Sequence, residues 1–189
     1  MFFCLKEKMI RKFKISIATL VILLFLSASC FLFIEEYDNF HPITDGEAYR
    51  SAQLDRDKLE YYIKKYNIKS IVNLRGENPG APWYREERKV SAEYNIQHYD
   101  ISLSSSRKPD EEDIQKLIEI FNNAPRPVLI HCRAGADRTG LAAAMWKIIV
   151  DKEPKSEAEK QLSVFFGHLP IGKTAAMDRF IQNWNPVLN

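Results

Sequence analysis

Residues 128–140 read Val128-Leu129-Ile130-His131-Cys132-Arg133-Ala134-Gly135-Ala136-Asp137-Arg138-Thr139-Gly140, and the rest of the chain can be placed outward from them. A short apolar run suits a buried strand, and Leu141 to Val150 suits a helix;. Between them, a loop of small residues carries a cysteine from the strand end onto a helix N-terminus. Backbone N–H groups and the positive end of the helix dipole then converge on one point, which makes an anion site. Arg138 closes the loop, and its planar fork of donors matches a tetrahedral oxyanion better than a lysine would. A thiol at such a point is expected to be a thiolate near neutral pH. A buried structural cysteine is the default for a lone thiol, but it does not explain the arginine and the helix start together.

Upstream, strand and helix patterns alternate. Asp45-Gly46 marks a turn, and the segment around Ala48-Tyr49-Arg50 reads as a short strand;. Asp55 caps a helix to Tyr66 with Leu59, Tyr62, Ile63 and Tyr66 at helical spacing;. Ser70 to Leu74 reads as a buried strand, Pro82 to Tyr94 as a helix and Ile96 to Leu103 as a strand. Pro109 opens a helix with Asp110, Glu111 and Glu112 at its positive end and Ile114, Leu117, Ile118 and Phe121 on its apolar face;. The alternation predicts an α/β domain with a central, mostly parallel sheet flanked by helices. The reactive loop then lies beyond a strand's carboxyl end, where such sheets bind ligands.

His131-Cys132, five residues, then Arg138-Thr139 resembles the signature of the cysteine-dependent protein-tyrosine and dual-specificity phosphatases. Tyr49-Arg50-Ser51-Ala52-Gln53 and Ile68 to Arg75 are similar to the atypical dual-specificity members of bacteria, fungi and plants, so the resemblance covers residues 40–150. It implies a phosphatase-like fold without cofactor and hydrolysis of phosphomonoesters through a phosphocysteine. Cys132 would be the nucleophile, Arg138 would hold the equatorial oxygens, and the Thr139 hydroxyl would face the sulfur. The backbone of Arg133, Ala134, Gly135 and Ala136 would line the substrate cradle. Arg75, after a strand end, is an accessory substrate contact or a structural tie. The substrate stays open among phosphoproteins, phosphoinositides or phospholipids, and inositol phosphates. Two other readings are a rhodanese-like sulfurtransferase, whose loop returns its arginine one residue sooner, and a catalytically weak phospho-ligand binding module.

The resemblance leaves the leaving-group acid open. Many relatives place an aspartate in the loop before the helix that precedes the cysteine, but Ser104 to Lys108 holds no carboxylate. Asp137 and Asp100 are the candidates. Asp137 occupies the loop position where myotubularin-like lipid phosphatases and some secreted bacterial phosphatases carry an aspartate, and a loop-ordering role is its alternative.

The N-terminus differs from the rest. Residues 1–14 are basic, and Ile15 to Ile34 is an uncharged apolar run long enough to span a bilayer as a helix;. The flanking charges predict a signal-anchor, or a cleaved signal, with the domain at 37–189 extracytoplasmic, periplasmic in a bacterium. A lipoprotein signal is a third reading, because Leu26 to Cys30 resembles a lipobox with its leucine one position early. Beyond residue 34 the chain holds 22 basic and 24 acidic residues, which argues against a nucleic-acid partner;. Cys132 is the only cysteine there, so the domain can form no internal disulfide;. His41, His98, His131 and His168 show no metal-ligand spacing, and no metal is expected;.

Overall fold

The computed structural model describes residues 12–27 and 38–186. The chain divides into two compact units, Met1–Glu36 and Tyr37–Asn189. In the first, residues 12–27 form helix α1 with every residue exposed. The apolar run expected to span a membrane is therefore only partly described, since residues 28–37 lie outside the described residues. Among the described residues no helix is long and apolar enough to cross a membrane. A span needs about 20 residues, and the described part of α1 is shorter than that;.

The second unit is a five-stranded sheet in the order β1-β2-β5-β3-β4, with β1 (His41–Thr44) antiparallel to β2 (Ala48–Ser51). The strands β3 (Ser70–Asn73), β4 (Gln97–Asp100) and β5 (Val128–His131) run parallel to their neighbours, with β5 between β2 and β3. A strand buried on both faces reads as an unbroken apolar run. Val128-Leu129-Ile130 does so, and its alternate side chains feed two cores. Leu129 joins Tyr49 and Ile71 beneath α2 (Arg56–Tyr66) and α3 (Pro82–Glu93). Val128 and Ile130 join Ala48 and Val72 beneath α4 (Glu111–Asn123) and α5 (Asp137–Ile149).

Local signals explain the helix ends. The Asp55 carboxylate accepts from the Lys58 amide at 2.9 Å, and Asn67 ends α2 in the left-handed region at φ 53°;. Pro82 opens α3, and three acidic residues occupy the first turn of α4;. α5 starts at Asp137, four residues before the expected Leu141, because the loop closes directly onto it. Ten of its residues are buried, so it is the central helix of the domain. Its outer side is covered by a C-terminal segment of short elements: α6 (Lys155–Ala158), two single 3₁₀ turns and the amphipathic α7 (Ala176–Asn183). Gly140 permits this close cover, since a Cβ there would come within 2.8 Å of the Gln161 carbonyl oxygen.

Candidate active site

The loop from Cys132 to Arg138 leaves β5 and enters α5, as its sequence predicts. Three successive carbonyls of this loop are held from outside. The Gln53 amide donates to the Arg133 carbonyl at 3.1 Å. Asn39 Nδ2 donates to the Ala134 carbonyl at 3.0 Å, and Arg50 Nη2 to the Gly135 carbonyl at 2.7 Å. With its carbonyls drawn outward, the loop turns amides toward the sulfur, the arrangement of an anion nest. Gly135 has φ +70°, and a Cβ on it would meet Ser51 and Ala52 backbone atoms at 2.7 Å. The loop can thus lie on the end of β2 only with glycine at this position.

Cys132 is buried at 3% exposure and forms no disulfide. Burial alone pushes its thiol up, but the Thr139 hydroxyl, the Arg138 charge and the amides of Thr139 and Gly135 together bring it below the ordinary thiol value;. The Thr139 hydroxyl has no nitrogen or oxygen partner, so the sulfur is the group it serves. Arg138 Nη1 donates to the Leu74 carbonyl at 3.3 Å and reaches the Leu103 carbonyl at 3.5 Å. Its Nε is buried and unpartnered, a donor reserved for an anion.

Arg50 has no exposed surface and no carboxylate partner among the described residues. Besides Gly135 it donates to the Gln161 carbonyl and Oε1, both at 2.8 Å, and its guanidinium carbon lies 3.9 Å from the Phe166 ring centroid. Burial pushes its pKa down to about 9, partly offset by the Cys132 charge, so it remains a cation at neutral pH.

Behind the loop sits a buried cluster that sequence reading did not find. Glu87 Oε2 lies 3.1 Å from His131 Nε2, and Oε1 lies 2.8 Å from His98 Nε2. Burial raises the Glu87 carboxyl, but His131 and then His98 pull it well below the usual carboxylate range. His131 is lowered by burial and raised further by Glu87, ending above its ordinary value. Gln53 Nε2 also donates to Glu87 at 2.6 Å, which fixes the amide so that Oε1 accepts from Arg75 Nη1 at 3.0 Å. Arg75 further stacks on Trp83 with 3.5 Å to the ring centroid. Burial lowers its pKa first, followed by the charges of Arg138 and Arg133, while Cys132 raises it. Arg75 and the exposed Arg133 thus flank the loop, and neither has a carboxylate ion pair among the described residues.

The two candidate acids have different surroundings. Asp100 is bound into the framework: Asn73 Nδ2 donates to Oδ1 at 2.7 Å and the Tyr84 hydroxyl to Oδ2 at 2.8 Å. Its place in β4 opposite Asn73 dictates this, both its oxygens are occupied, and His98 Nδ1 lies 3.4 Å from Oδ2, surroundings that suit bracing. Asp137 lies in the first turn of α5, one-quarter exposed, with Oδ1 2.7 Å from His168 Nδ1. Arg107 and Lys108 are exposed on a groove of about 920 Å³ beside α7, which Cys132 does not line. Among the described residues no three His, Cys, Asp or Glu side chains are arranged so that they could hold a metal ion.

Comparison with known proteins agrees with this geometry. The family described as "DSP-PTPase phosphatase fused to NAD+ Kinase" matches residues 36–178. The human dual specificity protein phosphatase CDC14A is 26% identical over 109 residues, covering 58% of this chain and 16% of that protein. The inositol diphosphatase SIW14 of Saccharomyces cerevisiae is 29% identical over 108 residues, covering 54% and 37%. The chain therefore spans only about a sixth to a third of these relatives. Among solved structures, the catalytic core of SIW14 superposes with a TM-score of 0.63 at 23% identity, covering 78% of this chain and 85% of that one. TpbA of P. aeruginosa superposes with a TM-score of 0.60 at 19% identity, covering 79% and 87%. Fold, loop and matched residues together place the chain in the cysteine-dependent dual-specificity phosphatase superfamily, within the family of DSP-type phosphatase domains described as fused to NAD+ kinase.

Proposed function

We propose that this chain hydrolyses phosphomonoesters through a phosphocysteine on Cys132. The observation that carries this reading is the buried, acidified thiol under three outward-pinned carbonyls, with Arg138 Nε left without a partner. Cys132 Sγ attacks phosphorus, and the bond from phosphorus to the ester oxygen breaks. Arg138 and the amides of Arg133, Ala134, Gly135 and Ala136 hold the equatorial oxygens as charge builds on them. Asp137 gives the departing oxygen its proton, and its carboxylate then takes one from the water that attacks the phosphocysteine. Inorganic phosphate leaves and the thiolate returns. The bound arginines favour this over sulfur transfer, which needs no clamp for a phosphoryl group.

The substrate class follows from surplus charge. A single phosphate is matched by Arg138 and the loop amides, yet Arg75 and Arg133 stand beside them without carboxylate ion pairs, and Arg75 is held in place by Trp83 and Gln53. Such a preorganised cation suits a substrate with a second anionic group next to the scissile phosphate, as in an inositol phosphate or a phosphoinositide. The uncharged run at 15–34 supports attachment to a membrane, with the domain extracytoplasmic;.

Three measurements test this. Purified protein releases phosphate from p-nitrophenyl phosphate, vanadate inhibits it, and Cys132→Ser abolishes turnover while retaining phosphate affinity; turnover in Cys132→Ser, or cyanide-dependent discharge of thiosulfate, ends the reading. A kcat/KM panel of phosphopeptides, phosphoinositides, inositol phosphates and NADP ranks the substrates, and Arg75→Ala selectively weakens those with a second phosphate. Reporter fusions after residue 40 are active only when exported.

A further inference from the structure

His168 has no exposed surface, and each ring nitrogen faces a carboxylate. Nδ1 lies 2.7 Å from Asp137 Oδ1, at the start of α5, and Nε2 lies 3.0 Å from Asp178 Oδ2, on α7. Asp137 and Asp178 are the charged groups that face the ring from the two helices packed against it. The turn before it is fixed, since Gly167 is left-handed at φ 81° and the His168 amide donates to the Ser163 carbonyl at 3.1 Å. α7 is anchored by the buried Met177 and Ile181. A ring with acceptors at both nitrogens holds two protons, and although burial lowers His168, Asp137 and then Asp178 raise it above its ordinary value;.

We infer that His168 is a positioning residue for Asp137, held in turn by Asp178. The inference rests on the phosphatase reading and deepens it. A carboxyl group has two oxygens, and a proton delivered from the wrong one does not reach the leaving group. The His168 N–H occupies Oδ1 as an acceptor, which leaves Oδ2 to carry the proton. Among the described residues nothing donates to Oδ2, and Asp137 keeps 25% of its side-chain surface. The proton thus moves from Asp137 Oδ2 to the ester oxygen as the phosphorus–oxygen bond breaks, and returns to Oδ2 from the attacking water.

The test compares p-nitrophenyl phosphate, whose phenolate leaves with little protonation, with an alkyl phosphate monoester, whose alkoxide needs a proton. In the full chain, His168→Ala should lower kcat for the alkyl ester by about 10- to 100-fold, within the range of acid–base catalysis, with KM unchanged and the aryl ester reduced far less. His168→Gln, whose amide can still donate to Oδ1, should recover part of the alkyl activity. Equal losses on both esters overturn the positioning role and leave the phosphatase reading intact. Activity that survives Cys132→Ser overturns both. If His168→Ala does not fold, Asp178→Asn should show the same selectivity more weakly, and a wild-type ¹⁵N spectrum in which His168 Nδ1 carries no proton at pH 7 overturns the inference.

Discussion

The domain holds two charge-inverted triads on opposite sides of its reactive loop. Behind the loop, one carboxylate, Glu87, sits between two imidazoles, His98 and His131. Beyond the start of α5, one imidazole, His168, sits between two carboxylates, Asp137 and Asp178. The members of the first are 1–3% exposed, whereas the aspartates of the second keep 22–25% of their surface. The first triad reaches solvent only through His98 Nδ1, 3.4 Å from Asp100 Oδ2, and none of its own members is open to a bound ester, so it serves geometry and the field at the thiolate. A triad open at its carboxylates can pass a proton to a bound ester. Under the proposed mechanism, similar chemical groups are divided between holding and transferring by which of them faces the bound ester.

Substitutions can break this division. Glu87→Ala leaves two buried imidazoles and the Gln53 amide without their acceptor, and urea unfolding should show a loss of about 3–5 kcal/mol;. Its remaining turnover should fall equally for aryl and alkyl esters; a leaving-group-selective loss would place the first triad in proton transfer. Asp137→Asn should do the opposite, costing alkyl esters about 10²-fold in kcat with unfolding free energy changed by no more than ~1 kcal/mol. A third test uses pH. His131 is raised above 6.5 in the folded state, so its contribution to stability is complete below that value and is lost as pH rises through the folded pKa;. Thermal melts should decline on the alkaline side, and Glu87→Gln should flatten that decline. The smallest effect belongs to Asp100→Asn, which keeps the shape and one acceptor for Asn73 or Tyr84. About 1 kcal/mol of stability is expected to go, with leaving-group dependence unchanged; a selective alkyl defect would return Asp100 to the acid role.

What could be read from the chain followed the range of each signal. Leu59 with Ile63, and Ile114 with Leu117 and Phe121, repeat at helical spacing and lie where that spacing puts them. The decamer at Cys132 is equally local, because strand, loop and helix follow one another in sequence. Arg75 was legible as a residue after a strand end on the ligand side, but its stacking on Trp83 was not. The surroundings of Asp100 were not legible, because its sequence distance from Cys132 says nothing of the strand register that gives it to Asn73. His168 is 31 residues beyond Asp137, in a turn with no periodicity, and Glu87 looks like one charge among several on α3. Pairings of that kind carry no local pattern, although after residue 150 Met177 and Ile181 do repeat at helical spacing on α7.

The three groups that hold the loop carbonyls, Asn39, Arg50 and Gln53, all come from one stretch at the start of the domain, while the loop arrives 85–95 residues later for the two side-chain ties. During synthesis the brace is made first and must wait for what it braces. Closing so long a separation is among the slower and more costly contacts a chain of this size can make. A chain in which that contact has not closed carries an ordinary thiol in place of a reactive one. The order of synthesis thus leaves the nucleophile silent until both ends of the brace have met.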